Sequence, residues 1–67
     1  MILIFKTNIN SPEVAKAIIN KVKQNHVDIA CTVDLEDCDK VLRVVGKIPT
    51  DAVVAYVEQM GYECEVM

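Results

Sequence analysis

The side chains best suited to chemistry in this 67-residue chain are Cys31, Cys38 and Cys64, the single histidine His26, and the carboxylates Asp34, Glu36, Asp37 and Asp39. Thiolates bind soft metals or act as nucleophiles, and paired cysteines close disulfides. His26 has no cysteine at metal-ligand spacing. It reads instead as a residue at a helix C-terminus, where its charge suits the helix dipole. The four acids lack both the spacing and the central glycine of an EF-hand, so they read as a solvated hairpin. Neither a Cys-His nor a Ser-His pairing is suggested, and no glycine-rich phosphate loop is present, so catalysis is not expected.

What these residues can do depends on the elements that hold them. Met1 to Lys6 is apolar, with β-branched and aromatic side chains, and reads as a strand buried on both faces or nearly so. Thr7 to Asn10 is polar apart from Ile9. Ser11-Pro12-Glu13 then supplies an N-cap, a proline at the first helical position and an acid in the first turn. The following helix carries Val14, Ile18 and Val22 at intervals of four, flanked by Ala15 and Ile19, with Lys16, Asn20, Lys21 and Lys23 on the other side.

Val27, Ile29, Cys31, Val33 and Leu35 alternate with polar or small residues, the period of a half-buried strand. A hairpin at Glu36 to Asp39 leads to a return strand, Lys40 to Val45. Gly46 to Pro49 breaks it before Thr50 or Asp51 caps a second helix with Val53, Val57 and Met60 as its core face. Gly61 stops that helix, and Tyr62, Cys64 and Val66 alternate with acids in a last strand.

The order is βαββαβ, in one domain spanning residues 1–67. Right-handed crossovers leave the first two strands parallel with room for the third between them. The expected fold is α+β and ferredoxin-like, a four-stranded antiparallel sheet in the order 4-1-3-2 with two helices on one face. The first strand-helix loop, the hairpin and the Gly61 junction should then share one sheet edge. Cys31 and Cys64 fall on opposite edge strands about three spacings, or ~14 Å, apart, beyond the ~7 Å a disulfide spans. Both have inward parity and read as small core residues. Cys38 lies in the exposed hairpin, where Asp37 and Asp39 should favour its thiol over its thiolate.

The run Asn8-Ile9-Asn10-Ser11-Pro12-Glu13-Val14 sits where heavy-metal-associated domains of the copper-chaperone type place a Gly-Met-x-Cys-x-x-Cys loop. The chain resembles that family from there almost to its end. With Val14 at the second cysteine position, Ile18 and Val22 match the apolar helix positions and Ile9 matches the buried methionine. Val33-Asp34-Leu35-Glu36, Leu42-Arg43-Val44-Val45-Gly46 and Gln59-Met60-Gly61-Tyr62 look like the family's second strand, third strand and helix-to-strand junction.

The resemblance implies a fold whose family function, the binding of Cu(I) or another thiophilic ion by two thiolates and its transfer, is not carried over. The cysteine positions hold Ser11 and Val14, and neither a neutral hydroxyl nor a hydrocarbon is a ligand for a soft ion. The same loop has a structural reading: Ser11 satisfies an orphan N–H, Pro12 fixes the first helical φ, and Ile9 plugs into the core. Glu13 and the completed cap disfavour an anion at this helix end.

Composition narrows the remaining functions. A chain 52% hydrophobic and this short suits one domain without room for a large cleft. No apolar run approaches the ~20 residues needed to span a bilayer, and the opening stretch lacks a signal peptide's basic region. Membrane insertion is not expected and a cytoplasmic location is. The net charge is −3, and nine of the ten acids follow His26, which disfavours nucleic acid.

The expected function is that of a non-catalytic binding or accessory domain, without cofactor, acting by contact with a protein partner or a second copy. Candidate surfaces are Asp37 and Asp39 in the hairpin, the outer side of the second helix around Val54, Ala55 and Tyr56, and an exposed strand edge. The alternative is an unconventional Cu(I)-type carrier using Cys38, shared between two chains.

Overall fold

The computed structural model describes Met1–Met67. Its elements are β1 (Ile2–Thr7), α1 (Pro12–Asn25), β2 (Ala30–Asp34), β3 (Val41–Val45), α2 (Thr50–Gln59) and β4 (Cys64–Val66). The sheet order is β2-β3-β1-β4, and every adjacent pair is antiparallel. Read from the other edge this is 4-1-3-2, the arrangement expected of a ferredoxin-like fold. Because β1 and β2 both run opposite to β3, they are parallel to each other, as the two crossovers require.

The core is a single cluster in which Ala15, Ile18 and Val22 of α1 and Val53 and Val57 of α2 meet Phe5, Cys31, Leu42 and Val44 of the sheet. Alternate strand residues point away from it. The first strand is therefore buried on one face only, contrary to its apolar reading: Ile2 is 62% exposed and Ile4 36%. Both helix stripes pack into the same cluster, so nothing covers the other face. Thr7, read as loop, is the buried last residue of β1.

Helix α1 starts as its sequence requires. Ser11 has extended dihedrals, and its Oγ accepts from the Glu13 N–H at 3.2 Å. At the other end the His26 N–H donates to the Val22 carbonyl. Helix α2 departs from expectation, because neither Thr50 nor Asp51 caps it. Pro49 is the cap residue, with φ −63° and ψ 138° and no side-chain cap bond. Its carbonyl receives the Ala52 and Val53 N–H groups, so the helix begins one residue before a threonine cap would allow.

The end of α2 explains a second departure. Gly61, at φ +87°, donates to the Glu58 carbonyl, and the Tyr62 N–H reaches back to Val57. That is a Schellman closure, which requires the left-handed conformation that glycine adopts freely. Met60 lies at the turn and is 37% exposed, outside the core to which its spacing had assigned it. The last strand starts at Cys64 rather than Tyr62 and lasts three residues. Its Val66, of inward parity, is 53% exposed.

The second strand is also shorter than its alternation. Asp28 has φ 58°, which interrupts the extended backbone, and Val27 before it is 85% exposed. Pairing begins only at Ala30. Lys40 likewise has a positive φ, 45°, and belongs to the turn before β3. No helix is long and apolar enough to cross a membrane.

Candidate functional site

Three separate stretches of chain meet beyond the C-terminal end of β1. The Thr7 N–H donates to the Asp39 carbonyl at 3.0 Å, and its hydroxyl donates to the Lys40 carbonyl at 2.6 Å while accepting the Ile9 N–H at 3.2 Å. Next door, Asn8 Oδ1 accepts the Glu63 N–H at 2.7 Å, and Asn8 Nδ2 lies 3.4 Å from Glu63 Oε2. The first strand-helix loop, the hairpin and the segment after Gly61 are thus fastened together at one end of the sheet, where the topology placed them. Sequence reasoning missed the two fasteners. The available signal was a threonine ending an apolar strand and an asparagine, a residue whose side chain bonds readily to backbone, opening the loop.

Within that loop the positions matched to the metal motif carry no soft donor. Ser11 Oγ is already engaged by Glu13 N–H, Val14 is half-buried against the core, and Ile9 is fully buried. Thiolates held at the start of a helix are the donors that suit Cu(I). A capping hydroxyl and an isopropyl group do not fit that ion, so no transfer step passes through Ser11 or Val14.

The hairpin brings Asp37, Cys38 and Asp39 together, with one donor atom of each lying within 4.8 Å of the others. Much of this grouping is turn geometry. Asp37 Oδ1 accepts the Asp39 N–H at 2.8 Å, and Asp34 Oδ1 accepts the Glu36 N–H at 3.1 Å. The Lys40 ammonium donates to the Leu35 carbonyl at 2.7 Å. Lys6 Nζ lies 3.8 Å from Asp39 Oδ1 across solvent, a pair worth at most ~1 kcal/mol. Cys38 is exposed and free. One soft sulfur beside two hard oxygens is a mixed donor set, matched neither to Cu(I) nor to calcium.

Cys31 and Cys64 are also free, and β2 and β4 are the two outer strands. Burial pushes the Cys31 thiol up to about 11, with Lys23 acting in the opposite sense. The Cys64 thiol is likewise pushed up to about 11, by burial first and then by the Glu58 carboxylate. Both stay protonated near neutral pH and are poor nucleophiles.

On α2, Val54 and Tyr56 are half-buried against the core, and Ala55 is exposed. The Tyr56 hydroxyl lies 2.9 Å from His26 Nε2, with the rings edge to face and centroids 5.8 Å apart. This contact joins α2 to the C-terminal end of α1. It lies away from the loop, which adjoins the opposite end of α1. A residue spacing of thirty gave no local signal for it.

The sheet face opposite the helices carries a further group. Ile2 pairs with Val45 in register, and the Met67 N–H donates to the Ile4 carbonyl, so Ile2, Ile4, Val45 and Met67 form an exposed apolar area. No family model matches the chain, and no curated protein matches it either.

Proposed function

We propose that this chain is a non-catalytic accessory domain, a heavy-metal-associated type of scaffold without the thiolate site, which acts in the cytoplasm by protein contact. The observation that carries this reading is the state of the Asn8 to Val14 loop. Its geometry is completed by a capped helix and a buried Ile9, while the two positions that would need sulfur hold a capping hydroxyl and a hydrocarbon. A scaffold kept in that form retains its surfaces. The exposed apolar sheet face and the acidic hairpin are the kind of area that soluble domains use for recognition.

The competing reading, a Cu(I) carrier built on Cys38, is favoured by one observation: the Asp37, Cys38 and Asp39 donors converge. Competition against a Cu(I) chelator separates the two. The accessory reading predicts that the chain fails to withdraw a stoichiometric amount of Cu(I). Stoichiometric withdrawal that disappears in Cys38→Ala would establish the carrier instead.

A further inference from the structure

We propose that the free edge of β2 pairs antiparallel with β2 of a second copy, making one continuous eight-stranded sheet across a two-fold axis at Thr32. This rests on the protein-contact reading and names its partner. Strand β2 bonds to β3 along one side, and no backbone group of Ala30–Asp34 has a hydrogen-bond partner anywhere else in the chain. Such an edge is a template for another strand unless lysine, proline, a bulge or inward charge blocks it. Ala-Cys-Thr-Val-Asp contains none of these.

Charge disfavours the other edge, and strand length selects the register: an axis at Thr32 pairs all five residues of Ala30–Asp34, whereas an axis at Val33, also free of like charges, pairs only three of them. With Thr32 opposite its own copy, Cys31 faces Val33 of the other chain on the inner side, and Ala30 faces Asp34 on the outer side. Ile29 and Leu35 then extend the apolar row at the two ends. Threonine opposite threonine is a favourable cross-strand pair, and no like charges meet within the strand. The nearest such encounter, Asp28 with Glu36, falls in the turns beyond it. Shifting the axis to Cys31 sets Asp28 against Asp34. The other edge fares worse: β4 has three residues, and a two-fold axis at its centre sets Glu65 against Glu65.

Thr32 is exposed on the sheet face away from the core and stands beside Arg43 of β3. In Thr32→Glu the new carboxylate is therefore welcome within one chain but meets its own copy across the axis. Sedimentation with reductant and a metal chelator present should show a concentration-dependent dimer for the native chain. The Thr32→Glu variant, with an unchanged circular dichroism spectrum, should stay monomeric at the same concentrations.

Oxidation in a Cys38→Ser background supplies the register. Thr32→Cys should crosslink as a dimer, because directly opposed strand residues lie within disulfide reach. Ala30→Cys should not, since its two copies stand four residues out of register, ~13 Å apart. A native chain that stays monomeric up to about 1 mM overturns the proposal. So does a dimer indifferent to Thr32→Glu, or equal crosslinking from both cysteine variants. A monomer would leave the accessory reading standing, whereas Cu(I) uptake through Cys38 would sink that reading and leave the interface intact.

Discussion

Burial separates three chemically identical thiols. Cys31 and Cys64 are held at about 11 against an ordinary 9.0, and loss of solvent is the first cause for both. In the unfolded chain they ionise near the ordinary value, so folding retains protons that the unfolded state releases as pH rises. Their contribution is complete below about pH 9 and is lost progressively toward about 11. Urea denaturation midpoints should therefore fall across that interval, and Cys31→Ala should flatten the fall. Thiol reagents at neutral pH should modify the exposed Cys38 first, the half-buried Cys64 more slowly and the buried Cys31 only on unfolding. The His26 and Tyr56 contact makes a second prediction at this scale. Tyr56→Phe keeps the ring and removes one hydrogen bond, so urea titration should show a loss of about 0.5 to 1.5 kcal/mol.

The elements owe their positions to one apolar stripe per helix and to the turns between strands. Ile18 is fully buried at the centre of α1, with an apolar side chain worth ~1.5 to 3 kcal/mol. Ile18→Asp also places a charge there without a partner, and it should abolish the cooperative thermal transition. Two glycines test the turns. An added Cβ at Gly61 meets nothing, so Gly61→Ala carries only the left-handed backbone penalty of ~1 to 2 kcal/mol. At Gly46, with φ +142°, the same methyl would run into the Ile29 side chain and approach the Asp28 carbonyl at 3.1 Å. Chemical denaturation should rank Gly46→Ala as the more damaging substitution.

These elements also differ in how legible they are in the amino-acid sequence. Stripes at helical period, the Ser11-Pro12-Glu13 start and the Gly61 stop were legible because each is decided by residues within one turn. Met60 and Val27 carried the right period and still missed the core, because a Schellman closure ends α2 before Met60 and the left-handed Asp28 separates Val27 from its strand. The exposure of Ile2 and Ile4 was hidden as well. Apolar character says that a strand wants cover, and only the placement of both helices shows which face receives it. The Thr7 and Asn8 fasteners join residues more than thirty positions apart, beyond any local pattern.

At the scale of the whole molecule, a single core spreads under two helices and leaves the opposite sheet face bare. The loop, hairpin and β4 lead-in converge at one end, and on the proposed reading that end is where a copper-chaperone domain would hold its ion. The residues that fill that setting complete a helix cap instead. If the backbone there is truly the family's, sulfur should be the only missing ingredient. The direct measurement is Cu(I) chelator competition on the folded double variant Ser11→Cys with Val14→Cys, beside the native chain. The proposed scaffold predicts one equivalent of Cu(I) withdrawn by the variant and none by the native chain; a folded variant that withdraws none would contradict the match between this loop and the metal motif.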